Sequence, residues 1–193
     1  MDRKSIAIAM LVVGLNFSMW AGTIEGKVSG VTGVSVVYVN AIPGKTFPAP
    51  EKREVMDQKG LTFQPHILVI QVGQTVDFLN SDNVQHNVFW PSMSGDKKLG
   101  HNMGTWPKGE KRPYKFEHEG VAPLLCNVHP EMSGYIVVSP TPYYAETDAS
   151  GSYKIDNVPD GDYTLTAWHE GAKPKSQTVK VSGTGKADIT LSK

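Results

Sequence analysis

The amino-acid sequence predicts an all-β protein. Glycine (19) and proline (13) punctuate the 193 residues at short intervals. Between them lie brief runs rich in Val, Ile, Thr and Tyr, residues that suit a pleated, half-buried surface. No segment repeats apolar residues at helical spacing over an ordinary helix length, and no strong internal repeat is present. Apolar residues make up 39%, enough for ordinary globular cores, and the length suits one or two domains. Formal net charge is zero and the 20% of charged residues form no long single-sign run. That argues against nucleic acid or an anionic membrane surface as partner.

The elements follow in order. Residues 1–21 read as an export signal: Arg3 and Lys4 start it, residues 6–15 form a short apolar core, and Ala21 ends it. The core is too short to span a bilayer comfortably. Met19 and Trp20 are bulky where small residues usually precede cleavage, so an uncleaved anchor is the alternative. The protein is therefore expected to be periplasmic or secreted, and membrane-bound only if the signal stays. Residues 22–28 and 33–41 read as strands around a Ser29-Gly30 turn. Residues 42–52, with Pro43, Gly44, Pro48 and Pro50, form a stiffened connector. Strands follow at 61–70 and 74–80, split at Gly73, and at 87–90 after His86. Residues 91–110 read as a long polar loop with Gly95, Gly100 and Gly104. Strands at 114–116, 122–126 and 135–139 complete this region, and Pro140 and Pro142 mark a second connector. Beyond it, Thr147-Asp148-Ala149-Ser150-Gly151 is a turn and 152–155 a strand. In Pro159-Asp160-Gly161 proline presets the first turn angle and glycine accepts the reversed one. Tyr163, Leu165 and Ala167 alternate with Thr164, Thr166 and Trp168; Val179 with Val181, and Ile189 with Leu191, continue the strand pattern.

The chain has one cysteine, Cys126, so an exported protein of this sequence has no internal disulfide. Cys126-Asn127-Val128-His129-Pro130-Glu131-Met132 places a thiolate, an imidazole and a thioether at three-residue spacing on one tight loop. His86, upstream at the start of a strand, supplies a fourth donor. Two His and one Cys with a weak axial Met is the ligand set of a blue-copper electron-transfer site. Singly, Cys126 is more often a small buried hydrophobe, and a lone His a core or surface residue; the joint pattern is what selects copper. Zinc is the rival metal, but structural zinc sites use four Cys/His ligands, and here the fourth group is Met.

These residues, with Val72-Gly73-Gln74-Thr75-Val76-Asp77-Phe78-Leu79-Asn80 and His86-Asn87-Val88-Phe89, resemble the cupredoxin family over about residues 52–140. The short ligand loop is similar to that of the amicyanins rather than the longer loops of plastocyanin and pseudoazurin. The resemblance implies a Greek-key β-sandwich with one type 1 copper per chain, His86 and His129 as imidazole ligands, Cys126 as thiolate and Met132 as axial ligand. It also implies that the Asn87 amide bonds the Cys126 sulfur while the Asn87 side chain ties two loops together. Position 128 is Val where short-loop relatives usually have Pro, so an amide proton is present that could also reach the sulfur.

Residues 145–193 resemble a carboxypeptidase regulatory-like domain, a small transthyretin-like β-sandwich, through residues 147–153 and Val158-Pro159-Asp160-Gly161-Asp162-Tyr163. Such domains begin with a Gly-led strand and a Val-rich second strand, which this piece lacks and residues 22–41 supply. The expected organisation is therefore a split sandwich of 22–50 with 141–193, and a cupredoxin domain, 51–140, inserted into it. Ile24 and Val36 should then lie near Leu165 and Val179. The alternative packs 22–50 on the cupredoxin.

The expected function is single-electron transfer, not enzymatic catalysis, with a c-type cytochrome or periplasmic oxidoreductase as redox partner. The resemblance implies exit through the His129 edge in an apolar patch bordered by Pro130. A copper carrier using Met93, His101 and Met103 as a transfer surface is the alternative, as is a surface scaffold protein whose copper is secondary. His66 and His101 are candidates for a second metal site; His118 reads as solvated and His169 as structural.

Overall fold

The computed structural model describes residues 21–193; the expected signal lies outside the described residues except for Ala21. Four sheets stack face to face. The first holds β1 (Ala21–Ser29) between β13 (Ser152–Pro159) and β16 (Thr184–Lys186), with β17 (Ile189–Thr190) also on β1. The second runs β12 (Tyr144–Glu146), β2 (Val36–Val39), β14 (Gly161–His169), β15 (Ala172–Val181). The third runs β5 (Ile67–Gln71), β11 (Ser133–Ser139), β10 (Gly120–Leu125), β7 (His86–Trp90), β8 (His101–Trp106). The fourth runs β4 (Phe63–Gln64), β3 (Glu54–Gln58), β6 (Thr75–Asn80), β9 (Lys111–Lys115). The fold is all-β: a cupredoxin-type sandwich of the third and fourth sheets and a transthyretin-like sandwich of the first two. Among the described residues no helix is long and apolar enough to cross a membrane.

Strand alternation builds three apolar layers from these sheets. On β2, Val37 and Val39 point into a core with Ile24, Tyr153, Leu165 and Val179. Val36 points the other way, onto Ile67, Val69, Val137 and Trp168. Ile24 thus lies where expected, and Val36 does not: β2 is apolar on both faces because each face meets a sheet. On β11 the same rule sends Ile136 and Val138 into the core around Phe78, Trp90 and Phe116, while Val137 faces Trp168. Tyr135 packs against Trp168 with ring centroids 5.1 Å apart and tilted, and His66 pairs with Glu170 at 3.0 Å, so the two sandwiches are clamped beside β11.

Residues 43–50 make no strand, as the prolines require, and Gln71 Nε2 at the end of β5 donates to the Pro48 carbonyl at 3.1 Å. The return crossing is held where Thr141 Oγ1 donates to the Val39 carbonyl at 2.7 Å. Gly26 on β1 is required by close approach, since a Cβ there would sit 1.9 Å from the Ala187 carbonyl oxygen. Tyr153 donates its hydroxyl to that same carbonyl.

Several expectations are corrected. Residues 61–70 form two strands, β4 and β5, because Pro65 lies between them and cannot donate to a ladder. The 91–110 loop holds a turn of 3₁₀ helix at Lys97–Leu99 and the edge strand β8. Glu54–Gln58 and Tyr144–Glu146 are strands without a sequence signal of their own. Ile24 is fully buried between β13 and β16, so Ile24→Ala should destabilise the protein by about 2–5 kcal/mol. Urea unfolding measures it; an unchanged midpoint would contradict a packed core around β1.

Candidate metal centre

Register brings the donors together. β7 starts at His86 and pairs with β10 at Phe89–Leu125, so Cys126, one residue past β10, comes level with the beginning of β7. β10 and β11 form a hairpin whose last pair is Leu125–Ser133, and residues 126–132 are its loop. The Met132 amide donates to the His129 carbonyl at 3.0 Å, which closes the far side of that loop. His86, Cys126 and His129 offer ligand atoms that all lie within 4.8 Å of one another. His86 Nδ1 and His129 Nδ1 are 3.0 Å apart. His86 is 0% exposed, Cys126 3% and Met132 1%, while His129 is half-buried and keeps an edge toward solvent.

Asn87 fixes the sulfur. Its amide donates to Cys126 Sγ at 3.4 Å, its side-chain carbonyl accepts from the Asn127 amide at 3.3 Å, and its Nδ2 donates to Asn102 Oδ1 and the Gly104 carbonyl, both at 2.9 Å. β8 and the ligand loop are thereby tied through one side chain, as the resemblance implied. The Val128 amide does not reach the sulfur: residues 127–129 bend outward and the Val128 side chain is 47% exposed.

Asp82 was not foreseen. Its carboxylate accepts from the Gly60 amide at 2.7 Å and the Leu61 amide at 3.0 Å, and lies 2.9 Å from His86 Nε2. Burial alone would raise this carboxyl; the bonds from Leu61, Gly60 and His86 outweigh it and hold it below the ordinary carboxylate value. An ionised carboxylate only accepts, so His86 Nε2 donates to Asp82 and Nδ1 is the ring nitrogen that faces His129. Asn80, fully buried, shapes the loop by donating to the Val84 and Trp106 carbonyls. An aspartate four residues before a histidine in a loop carries no facing rule, so only the folded chain pairs them.

The donor set fits copper. Two imidazoles and a thiolate converge in a largely buried pocket with a thioether residue on the same loop, which suits copper better than zinc. The other histidines go elsewhere. The His101 ring lies tilted against Trp90 at 5.3 Å and Tyr114 at 4.6 Å, His169 bonds the Thr32 carbonyl, and His118 is exposed. Among the described residues, no group of three or more His, Cys, Asp or Glu side chains with metal-holding spacing includes His66 or His101.

Residues 51–139 match the family model "Copper binding proteins, plastocyanin/azurin family", and residues 134–192 match "Carboxypeptidase regulatory-like domain". The second match begins inside β11, yet β11 pairs with β10 and β5; the strand antiparallel to β13 is β1. No curated protein matches. Solved structures similar to the chain include the reduced Cu(I) form at pH 4 of an amicyanin mutant, 23% identical over 47% of this chain and 85% of that one, TM-score 0.42. An oxidised amicyanin mutant is 23% identical over 45% and 81%, TM-score 0.41. Another amicyanin mutant in the Cu(I) form is 24% identical over 51% and 97%, TM-score 0.42. Residues 51–139 are thus similar to copper-binding proteins of the plastocyanin/azurin family, and residues 134–192 to a carboxypeptidase regulatory-like domain.

Proposed function

We propose that this chain is an exported type 1 copper protein that carries single electrons, binding one copper through His86, Cys126 and His129 with Met132 as axial ligand. The observation that carries the reading is the convergence of His86, Cys126 and His129 within 4.8 Å, with an amide donating to the sulfur. Copper in such a site supplies a one-electron couple, and the amide on the thiolate favours the reduced form. The chain's own part is to hold the donors still. His86 is pinned by Asp82, Cys126 by Asn87, and the loop by its hairpin. Only His129 has an edge at the surface, so the electron enters and leaves there. Exposed Val128 and Pro130 flank it, and exposed Leu61 and Val84 lie on the loops around Asp82. Apolar side chains beside the His129 edge suit brief docking of a redox protein such as a c-type cytochrome or a periplasmic oxidoreductase. Residues 1–21 supply the export reading.

We also take 22–50 with 141–193 as one folding unit that carries 51–140 as an insert; the pairing of β1 with β13 and of β2 with β12 and β14 supports this division. The copper-carrier reading is weaker, because Met93 is 4% exposed and Met103 packs on the copper-domain core.

Cu(II)-loaded protein should show an intense visible charge-transfer band at one copper per chain. Met132→Leu should keep that band and raise the reduction potential, since a weak donor to Cu(II) is lost. A colourless copper-bound protein would sink the type 1 reading; loss of all copper in the Met132 variant would show that Met132 is more than an axial ligand.

A further inference from the structure

Leu61 is one of three non-glycine residues in the described chain with positive φ, at +58°, and its side chain is 42% exposed. The left-handed region is unfavourable for a leucine, so something holds it there. Both amides of the turn, Gly60 and Leu61, donate to the Asp82 carboxylate. The same oxygen that accepts from Leu61, Oδ2, is the one that meets His86 Nε2. The Asp82 side chain is itself only 17% exposed, and its own amide is fixed by Asn80 Oδ1 at 2.9 Å. One carboxylate therefore spans a strained surface turn and a fully buried imidazole.

We propose that Asp82 is a positioning residue for the copper ligand His86 and that it links the orientation and basicity of that ring to the exposed Leu61 turn. This rests on the copper reading of the site. The physical chain is short. A carboxylate on the far nitrogen of a ligating imidazole fixes the tautomer and ring plane and makes the near nitrogen a stronger donor, which favours Cu(II). The two backbone bonds keep the carboxylate in place without using its second oxygen on water. In turn, the carboxylate holds the Leu61 turn in a conformation leucine does not favour. A change of the turn, such as a partner pressing on it, is then felt at His86 rather than only at the surface.

Asp82→Asn is the test. An amide side chain cannot accept from both turn amides and from His86 at once: one rotamer sets its NH₂ against His86 Nε2–H and the Leu61 amide, the other against the Gly60 amide. The variant should lose 10–100-fold in Cu(II) affinity and titrate at a higher potential, each tenfold loss of Cu(II) over Cu(I) affinity reading as about 59 mV. Leu61→Gly, which keeps the amide and relieves the strained φ, should leave the potential where it is. A merely structural Asp82 would lower the melting temperature of the metal-free protein and leave the potential unmoved; that result overturns the proposal. If Asp82→Asn does not fold, the wild type serves. In the Cu(I) protein the His86 Nε2 proton should appear in NMR as a slowly exchanging resonance with a cross-peak to the Leu61 amide, and its absence overturns the proposal equally. The two readings fail separately: a wild type without a charge-transfer band removes the copper assignment, whereas a wild type with the band and an unchanged Asp82→Asn potential removes only the role of Asp82.

Discussion

Cys126→Ser should abolish the visible band of the copper-loaded protein and leave the metal-free fold nearly unchanged. The band comes from charge transfer out of a thiolate, and a serine hydroxyl is a poor soft donor at neutral pH. The substitution is nearly isosteric, and the Asn87 amide, which now donates to Sγ, retains an oxygen to donate to. The stability change of the metal-free chain should therefore stay within about 1 kcal/mol. Absorption and urea unfolding, read side by side, separate the two effects. A band that survives in the serine variant would mean that another group supplies the charge transfer.

The second large effect concerns chain organisation. A fragment of residues 141–193 should not fold alone. It loses β1 and β2, leaving β13 and β14 without those neighbours, and it loses Ile24, Val28, Val37, Val39 and Ile42 from its core. Five aliphatic side chains at about 1.5–3 kcal/mol each amount to roughly 10 kcal/mol, as large as the whole stability of a domain. The chain has no disulfide to compensate. Residues 22–50 joined to 141–193 by a short flexible linker should fold without copper, because Val39 and Thr141 are already in hydrogen-bond contact across the joint. A fragment of 52–140 should fold and take up copper. It would bare Ile67, Val69 and Val137, so some self-association is expected. Dispersed, exchange-protected amide spectra from 141–193 alone would refute the split.

How far the sequence carried the reading depended on how local each signal was. Cys126, His129 and Met132 sit on one loop, so their spacing announced them, and His86 was marked by its place at the head of a strand. The alternation of Tyr163, Leu165 and Ala167 was legible for the same reason. Asp82 was not, since its meaning lies in a contact between two loops. Glu54–Gln58 carries no clear strand signal because it buries Met56 and the polar Gln58 while apolar Val55 is exposed, a pattern too weak to separate from a connector. Val36 is expected beside Leu165 and Val179, yet it is buried with Trp168 against a third sheet. A strand that is apolar on both sides says that both faces are covered and does not say by what.

The interleaved chain order also sets a sequence of events. Thr23 on β1 meets Asp156 across a separation of 133 residues, and Val39 meets Thr141 across 102. Closing an unstructured loop of about 100 residues costs roughly 4 kcal/mol beyond the constant term, before any contact offsets it. If the inserted sandwich forms first, its ends already lie side by side and that cost almost disappears. The first two strands must therefore wait for the copper domain. At a synthesis rate of about 5–20 residues per second they remain unpaired for on the order of ten seconds, open to any other strand that reaches them.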